Sequence, residues 1–183
     1  DTNGLAHSLI EAFGSLSGVF EADCSDLRGA GRLGENAALL LKLIPQLTKR
    51  YMRDRWKDRP CIDNTAKAGD YARALYIGKN HEVFYLICLD SQNRVNRAVP
   101  VCSGTINEAL VYPRLIIENA LRHNANSVIL SHNHPGGGMN ASKADIDITK
   151  KLKASLEAIS IKVVDHIIVA GDKYISFAEK GLL

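Results

Sequence analysis

The stretch Val128-Ile129-Leu130-Ser131-His132-Asn133-His134-Pro135-Gly136-Gly137-Gly138-Met139-Asn140-Ala141-Ser142-Lys143-Ala144-Asp145 runs from an apolar segment through a polar, glycine-rich loop into the head of a helical pattern. Ser127 to Ser131 is strand-sized and β-branched, and from Ser142 to Ser160 the residues Ile148, Leu152, Leu156 and Ile159 fall on one helical stripe. Strand, loop and helix in that order put the polar loop at a strand end, where solvent can reach it.

Working outward, Val83-Phe84-Tyr85-Leu86-Ile87-Cys88-Leu89 reads as a strand, the turn Asp90-Ser91-Gln92-Asn93 follows, and a second strand-like stretch reaches Cys102, which together make a hairpin signal. Pro113 suits the first position of a helix running to about His123, with Glu118 and Arg122 spaced to pair one turn apart. Beyond the second helix, Lys162 to Ala170 and Tyr174 to Phe177 read as strands split by a Gly171-Asp172 turn. Residues 65–183 are therefore expected to form an α/β domain, a mixed β-sheet flanked by helices. Residues 1–50 read as a small all-helical module. Leu9 to Leu16 carries helical spacing, and Ala37, Leu40, Leu41, Ile44 and Leu47 share a face. Between the two, residues 51–64 read as a basic linker, because Lys49 to Pro60 holds six Lys/Arg against two Asp.

At 183 residues the chain is about 1.2 times a ~150-residue domain, enough for one full core plus an appendage. A composition of 46% hydrophobic and 23% charged residues with a net charge of +3 excludes disordered, collagen-like and disulfide-scaffold classes. The apolar runs are too short for a membrane helix, so a soluble protein without membrane partners is expected. Cys24, Cys61, Cys88 and Cys102 lack metal or disulfide spacing and read as small buried hydrophobes of a cytoplasmic protein.

His132 and His134 are two apart, so on an extended backbone both imidazoles project to one side, as two ligands of one cation must. Asp145, at the head of the next helix, offers a third ligand. Two imidazoles, a carboxylate and an open fourth position match a catalytic zinc site, whereas a structural one is closed by four protein ligands. The same residues also fit a polar surface histidine pair, and Ser142-x-x-Asp145 is equally a helix capping box. A phosphate loop fits poorly, since no Gly-Lys-Ser/Thr follows the glycines and Pro135 removes a donor.

His132-x-His134, with Ser142 and Asp145 following at the same offsets, resembles the JAMM (MPN+) metallopeptidase motif His-x-His-x7-Ser-x2-Asp at all four positions. The surroundings resemble the bacterial RadC family more closely, through His132-Asn133-His134-Pro135, Gly104-Thr105, Tyr112-Pro113-Arg114, Asp165-His166 and Gly181-Leu182-Leu183. Two departures are Gly136 where that family usually has serine and Ala141 where it usually has proline. The resemblance implies a JAMM/MPN, cytidine-deaminase-like fold and a zinc-dependent hydrolase of peptide or isopeptide amides. It implies Zn2+ on His132, His134 and Asp145, Glu82 as general acid/base, and Ser142 as donor to the oxyanion. Composition alone leaves Glu108, Glu118 and Glu157 as competitors of Glu82.

Leu33-Gly34-x-x-x-Ala38 resembles the second half of a helix-hairpin-helix, broken by Arg32 where a glycine is usual. With the basic stretch and its interleaved Tyr51 and Trp56, it makes DNA a second expected partner beside a peptide or protein substrate. The alternatives to a peptidase are accordingly a DNA-associated binding protein of repair or recombination and a metal-dependent nuclease.

Overall fold

A computed structural model of the chain describes residues 3–31, 33–55, 59–103 and 111–183. Arg32, Gly104-Thr105, Glu108 and Trp56 to Asp58 of the basic stretch lie outside the described residues. The chain divides into two compact units, Asp1–Arg55 and Trp56–Leu183.

The first unit holds α1 (Asn3–Phe13), α2 (Leu16–Glu21), α3 (Cys24–Gly31) and α4 (Glu35–Arg55). Gly14, at φ 77, ends α1, and the Ser15 hydroxyl caps α2 by accepting from the Gly18 N–H. Among the described residues its core is four buried side chains, Leu9, Val19, Leu27 and Ala38. Lys42 ties α4 to the end of α2 by donating to the carbonyls of Phe20, Glu21 and Ala22.

Two expectations change here. Helix α4 continues to Arg55, so the first residues of the expected linker are helical. The expected apolar face is also not the packed one: Leu40, Ile44 and Leu47 are exposed, while Ala38 is buried and Leu41 packs partly against the small core. Apolar residues nearly encircle α4 between Ala37 and Leu47, so periodicity could not select one face.

The second unit contains α5 (Thr65–Leu75), β1 (Val83–Leu89), β2 (Val95–Ser103), α6 (Pro113–Arg122), β3 (Ser127–Asn133), α7 (Lys143–Glu157), β4 (Lys162–Ala170), β5 (Lys173–Ser176) and the short α8 (Phe177–Lys180). The strands form one mixed sheet in the order β2-β1-β3-β4-β5, with only β3 and β4 parallel. α7 supplies the long crossover that a parallel pair requires. All seven residues of β1 and of β3 are buried, as expected of central strands covered on both faces.

Alternation divides the core. Phe84, Leu86 and Cys88 of β1 join Val128 and Leu130 of β3 against Ile116 of α6 and Leu152 and Leu156 of α7. Val83, Tyr85, Ile87, Leu89 and Ile129 face the other way, against Ala68, Tyr71 and Ala72 of α5. Helix α5 is the element that sequence periodicity missed, because small residues dominate its buried side. Smaller differences also emerge. Glu118 pairs with Arg114 at 2.8 Å, Ile159 is exposed beyond the end of α7, and Phe177 opens α8. Of the four free cysteines only Cys88 is buried; burial pushes its thiol up to about 11, while Cys61 is exposed at an isolated bridge with Arg94. No described helix is long and apolar enough to cross a membrane.

A bulge in β4 decides which face of the sheet Asp165 and His166 occupy. Val128 pairs with Val163 but Ile129 pairs with Asp165, so Val164 is extra and the side-chain alternation of β4 shifts by one from that point. Asp165 is thereby buried among donors: the N–H groups of His166 and Ala178 and the Ser176 hydroxyl, at 2.7, 3.0 and 2.6 Å. Burial still raises its carboxyl above the ordinary value, although these three donors oppose the rise. Asp165→Ala should leave those donors without their acceptor and lower stability by about 3 kcal/mol. A urea titration followed by circular dichroism would show this as a lower midpoint with an unchanged slope.

Candidate metal centre

His132 lies one residue from the end of β3 and is 2% exposed. Phe84, its cross-strand partner on β1, stacks on the imidazole with ring centroids 6.0 Å apart and planes within 6°. His134 stands just past the strand, anchored by its N–H to the Val169 carbonyl at 2.8 Å. The glycine loop then turns back: the Gly137 N–H donates to the His134 carbonyl, with Gly137 at φ 78. That turn brings the Gly138 carbonyl within 2.9 Å of His134 Nδ1. Asp145 arrives from the first turn of α7. The capping box there is complete: Asp145 N–H donates to the Ser142 hydroxyl, and Ser142 N–H donates to Asp145 Oδ2.

His132 Nε2 stands 3.0 Å from His134 Nε2 and 3.1 Å from Asp145 Oδ1, and His134 Nε2 stands 3.8 Å from Asp145 Oδ2. Ligands of a tetrahedral zinc, at ~2.0–2.1 Å from the ion, sit about 3.3 Å from one another, and the three groups offer one atom each within 4.8 Å of one another, near enough to converge on such an ion. They form a cluster that could hold a metal. The donor chemistry agrees, because a carbonyl only accepts and His134 Nδ1 must donate to Gly138, which leaves the lone pair of the neutral ring on Nε2. Burial works against the Asp145 charge, yet hydrogen bonds from His132 and Ser142 outweigh it and hold the carboxyl well below the ordinary carboxylate range. The macrodipole of α7 favours the same ionised form.

A further set of groups surrounds this cluster. His132 Nδ1 meets Nε2 of the fully buried His166 at 2.8 Å, and His166 Nδ1 meets the Thr149 hydroxyl at 2.5 Å. The His166 ring is wedged between Phe84 and Phe177. Burial first, and then the neighbouring His132, hold it well below the ordinary imidazole range. Thr149 had no signal in the sequence. His166 reads from sequence as a satisfied buried histidine, and only the β4 bulge turns it toward His132. The one available signal is the step from Asp165 to His166 on a strand.

Asn133 points away from the cluster, as alternation expects, and is a clamp. Its Oδ1 accepts from the Val83 N–H at 2.7 Å and its Nδ2 donates to the His81 carbonyl at 2.9 Å, gripping the backbone on both sides of Glu82. The ladder between β1 and β3 ends at the Phe84–His132 pair, and the half-buried Glu82 and His134 each lie two residues beyond it along their own segments. The two competing glutamates among the described residues are elsewhere: Glu118 is ion-paired on α6, and Glu157 is about 18 Å along α7 from Asp145 at 1.5 Å per residue. The Ser142 hydroxyl is committed in this structure, since it donates to Asp145 Oδ2 at 2.7 Å.

In the first unit, Leu33 and Gly34 lie between α3 and α4, and the Gly34 carbonyl accepts from the N–H groups of Ala37 and Ala38. From the basic stretch, Arg50 pairs with Asp54 at 3.2 Å.

Residues 62–182 match the RadC family, described as a RadC-like JAB domain. The chain is 37% identical over 179 residues to a UPF0758 protein of Methylibium petroleiphilum, covering 98% of this chain and 81% of the relative. It is 39% identical over 183 residues to a UPF0758 protein of Variovorax paradoxus, covering 98% and 80%. A UPF0758 protein of Leptothrix cholodnii is 37% identical over 180 residues, covering 98% and 81%. A mixed five-stranded sheet with flanking helices, a His-x-His strand end facing a helix-borne aspartate, and these relatives agree: the chain belongs to the RadC family and carries a RadC-like JAB domain.

Proposed function

We propose that the second unit is a zinc-dependent hydrolase of peptide or isopeptide amide bonds, with His132, His134 and Asp145 as the metal ligands. The observation that carries this reading is the convergence of two imidazole nitrogens and a carboxylate oxygen, all within 4.8 Å of one another. Acceptor atoms so close repel one another unless a positive charge stands between them. A bound zinc ion would polarise the scissile carbonyl and lower the pKa of an attacking water toward ~7.

The remaining work falls to the chain. Glu82, two residues ahead of the Phe84 that pairs with His132, is the base that takes the proton of the attacking water and returns it to the leaving nitrogen. Ser142 is the donor to the oxyanion; it reaches that role by turning its hydroxyl hydrogen away from Asp145 Oδ2. Its backbone N–H keeps hold of the carboxylate meanwhile. Asn133 fixes the height of Glu82 through the two backbone bonds that flank it.

His134→Ala should reduce bound zinc from about one ion per chain to near none, read by metal analysis of the purified protein. Glu82→Gln should retain zinc and lose at least about 100-fold in cleavage of a peptide library. Equal activity of the two forms would sink the acid/base assignment. The same preparation separates the rival readings: DNA affinity that survives chelation and falls on replacing Lys49 and Arg50 marks a DNA-associated protein. Metal-dependent degradation of DNA, abolished in Asp145→Ala, marks a nuclease.

Asn133→Ala should cost about 1–3 kcal/mol, because the buried Val83 N–H loses its acceptor. It should also slow turnover more than it weakens zinc binding, which steady-state kinetics beside a zinc titration would show.

A further inference from the structure

The face of the sheet turned away from His132 carries a cavity that the metal cluster does not use. Ile129 and His132 are three apart on β3 and so face opposite sides, and Asp165, paired with Ile129 across the parallel ladder, shares the side of Ile129 and α5. There a cavity of about 200 Å³ opens among the segment leading into α5, the β1–β2 turn, the β4 bulge and α8. Its floor is apolar, made by the buried Ile62, Ala68 and Ile129 and by Val164, the extra residue of the bulge. One ionisable group stands among them: Asp165, 5% exposed.

Asp165 has hydrogen bonds but no counter-charge. Two N–H donors occupy Oδ1 and the Ser176 hydroxyl occupies Oδ2. A carboxylate has about four acceptor positions, so one on Oδ2 is left. Among the described residues it pairs with no Lys, Arg or His, and the charged group that acts on it is the Glu179 carboxylate, a like charge. Buried charges are ordinarily paired. At the mouth stand the exposed Asp63, a second carboxylate, and two further acceptors, Thr65 Oγ1 and Asn93 Oδ1, which make no side-chain hydrogen bond to another described residue.

We propose that this cavity binds a primary ammonium group carried on a short aliphatic stem, the head on Asp165 and the stem against Ile62, Ala68, Ile129 and Val164. An ammonium brings the missing positive charge together with three N–H donors, which Asp165, Thr65 and Asn93 can accept. An anion would meet two carboxylates, and at the α5 N-terminus that could attract it Asn64 already accepts the Lys67 N–H. A neutral apolar molecule would leave Asp165 without its counter-charge. Size narrows the choice further: at ~30 Å³ per water the cavity holds on the order of six or seven waters, room for an ammonium and a few carbons but not for a nucleotide. A free alkylamine and the lysine side chain of another protein share this chemistry. The site stands apart from the question of whether the cluster on the opposite face binds zinc.

The test uses the full chain with 13C-labelled Ile, Val and Ala methyl groups, titrated with butylammonium at neutral pH. Saturable shifts are expected at Ile62, Ala68, Ile129 and Val164, with half-saturation in the millimolar range that so small a ligand allows. Butanol and butyrate, with the same stem and no positive charge, should bind at least about 10-fold more weakly. Asp165→Asn, which keeps the size and one acceptor oxygen, should weaken butylammonium binding at least about 10-fold. Ala178→Leu, on the exposed part of the wall, should weaken it by filling the space while the carboxylate stays. The same shifts with Nα-acetyl-lysine amide would assign the site to a protein's lysine side chain, and shifts with butylammonium alone to a free amine. Equal binding of butanol and butylammonium overturns the proposal, as does the absence of shifts at these methyls at tens of millimolar. So does unchanged affinity in Asp165→Asn, or in Ala178→Leu should Asp165→Asn fail to fold.

Discussion

The site depends on the double confinement of β3. Antiparallel pairing to β1 on one side and parallel pairing to β4 on the other leave it no freedom of register, since a slip of one residue would turn Val128 and Leu130 out of one core and Ile129 out of the other. His132 inherits that precision. A buried imidazole at the end of such a strand stands where packing puts it, and Phe84 and His166 limit the rotation of its ring.

What surrounds the cluster is a polar network inside an apolar shell, and such networks are all-or-none. A buried polar group with its partner costs little, and without it costs much, because no water can substitute. Here the partners are shared economically. Asp145 binds Ser142 through its side chain and Thr149 through its carbonyl, so the same residue opens α7, faces two histidines and ends the chain of hydrogen bonds behind them. The loop that carries the glycines is tied back by the Gly138 carbonyl on His134 Nδ1, which gives Gly136 to Gly138 an orienting role in place of the phosphate-binding role their composition could suggest.

The first unit is built on a different scale. Four buried side chains make a small core, and α4 shows Leu39, Leu40, Leu43 and Leu47 to solvent. Local devices therefore carry much of its order: the Ser15 cap, the positive-φ Gly14, and Lys42 reaching three carbonyls at the end of α2. About fifty residues rarely bury enough apolar surface for more than marginal stability.

Much of the second unit is legible in the sequence, for reasons that can be named. The β1–β2 hairpin, the helix opened by Pro113, and the succession of β3, loop and α7 follow from period-2 and period-3.6 patterns with strong turn and cap residues between them. The His-x-His pair and the Ser142-x-x-Asp145 box are equally local, each spanning less than two turns of chain. What escapes is non-local or carried by weak side chains. Helix α5 packs through alanines and a glycine, which have little periodic signal. The packed face of α4 is ambiguous because its apolar residues surround it, and Glu118 chooses Arg114 over Arg122 although both lie one turn away.

The sequence by itself determined which residue types could meet a cation and which elements would carry them, because strand alternation and helix capping act over a few neighbouring residues. Only the tertiary structure decided that His166 faces His132, that Asn133 grips the backbone around Glu82, and that Asp145 completes the cluster. Those outcomes hang on one extra residue in β4 and on a register between strands some fifty positions apart in the chain, and pairing energies summed over a whole sheet leave no trace in any short stretch.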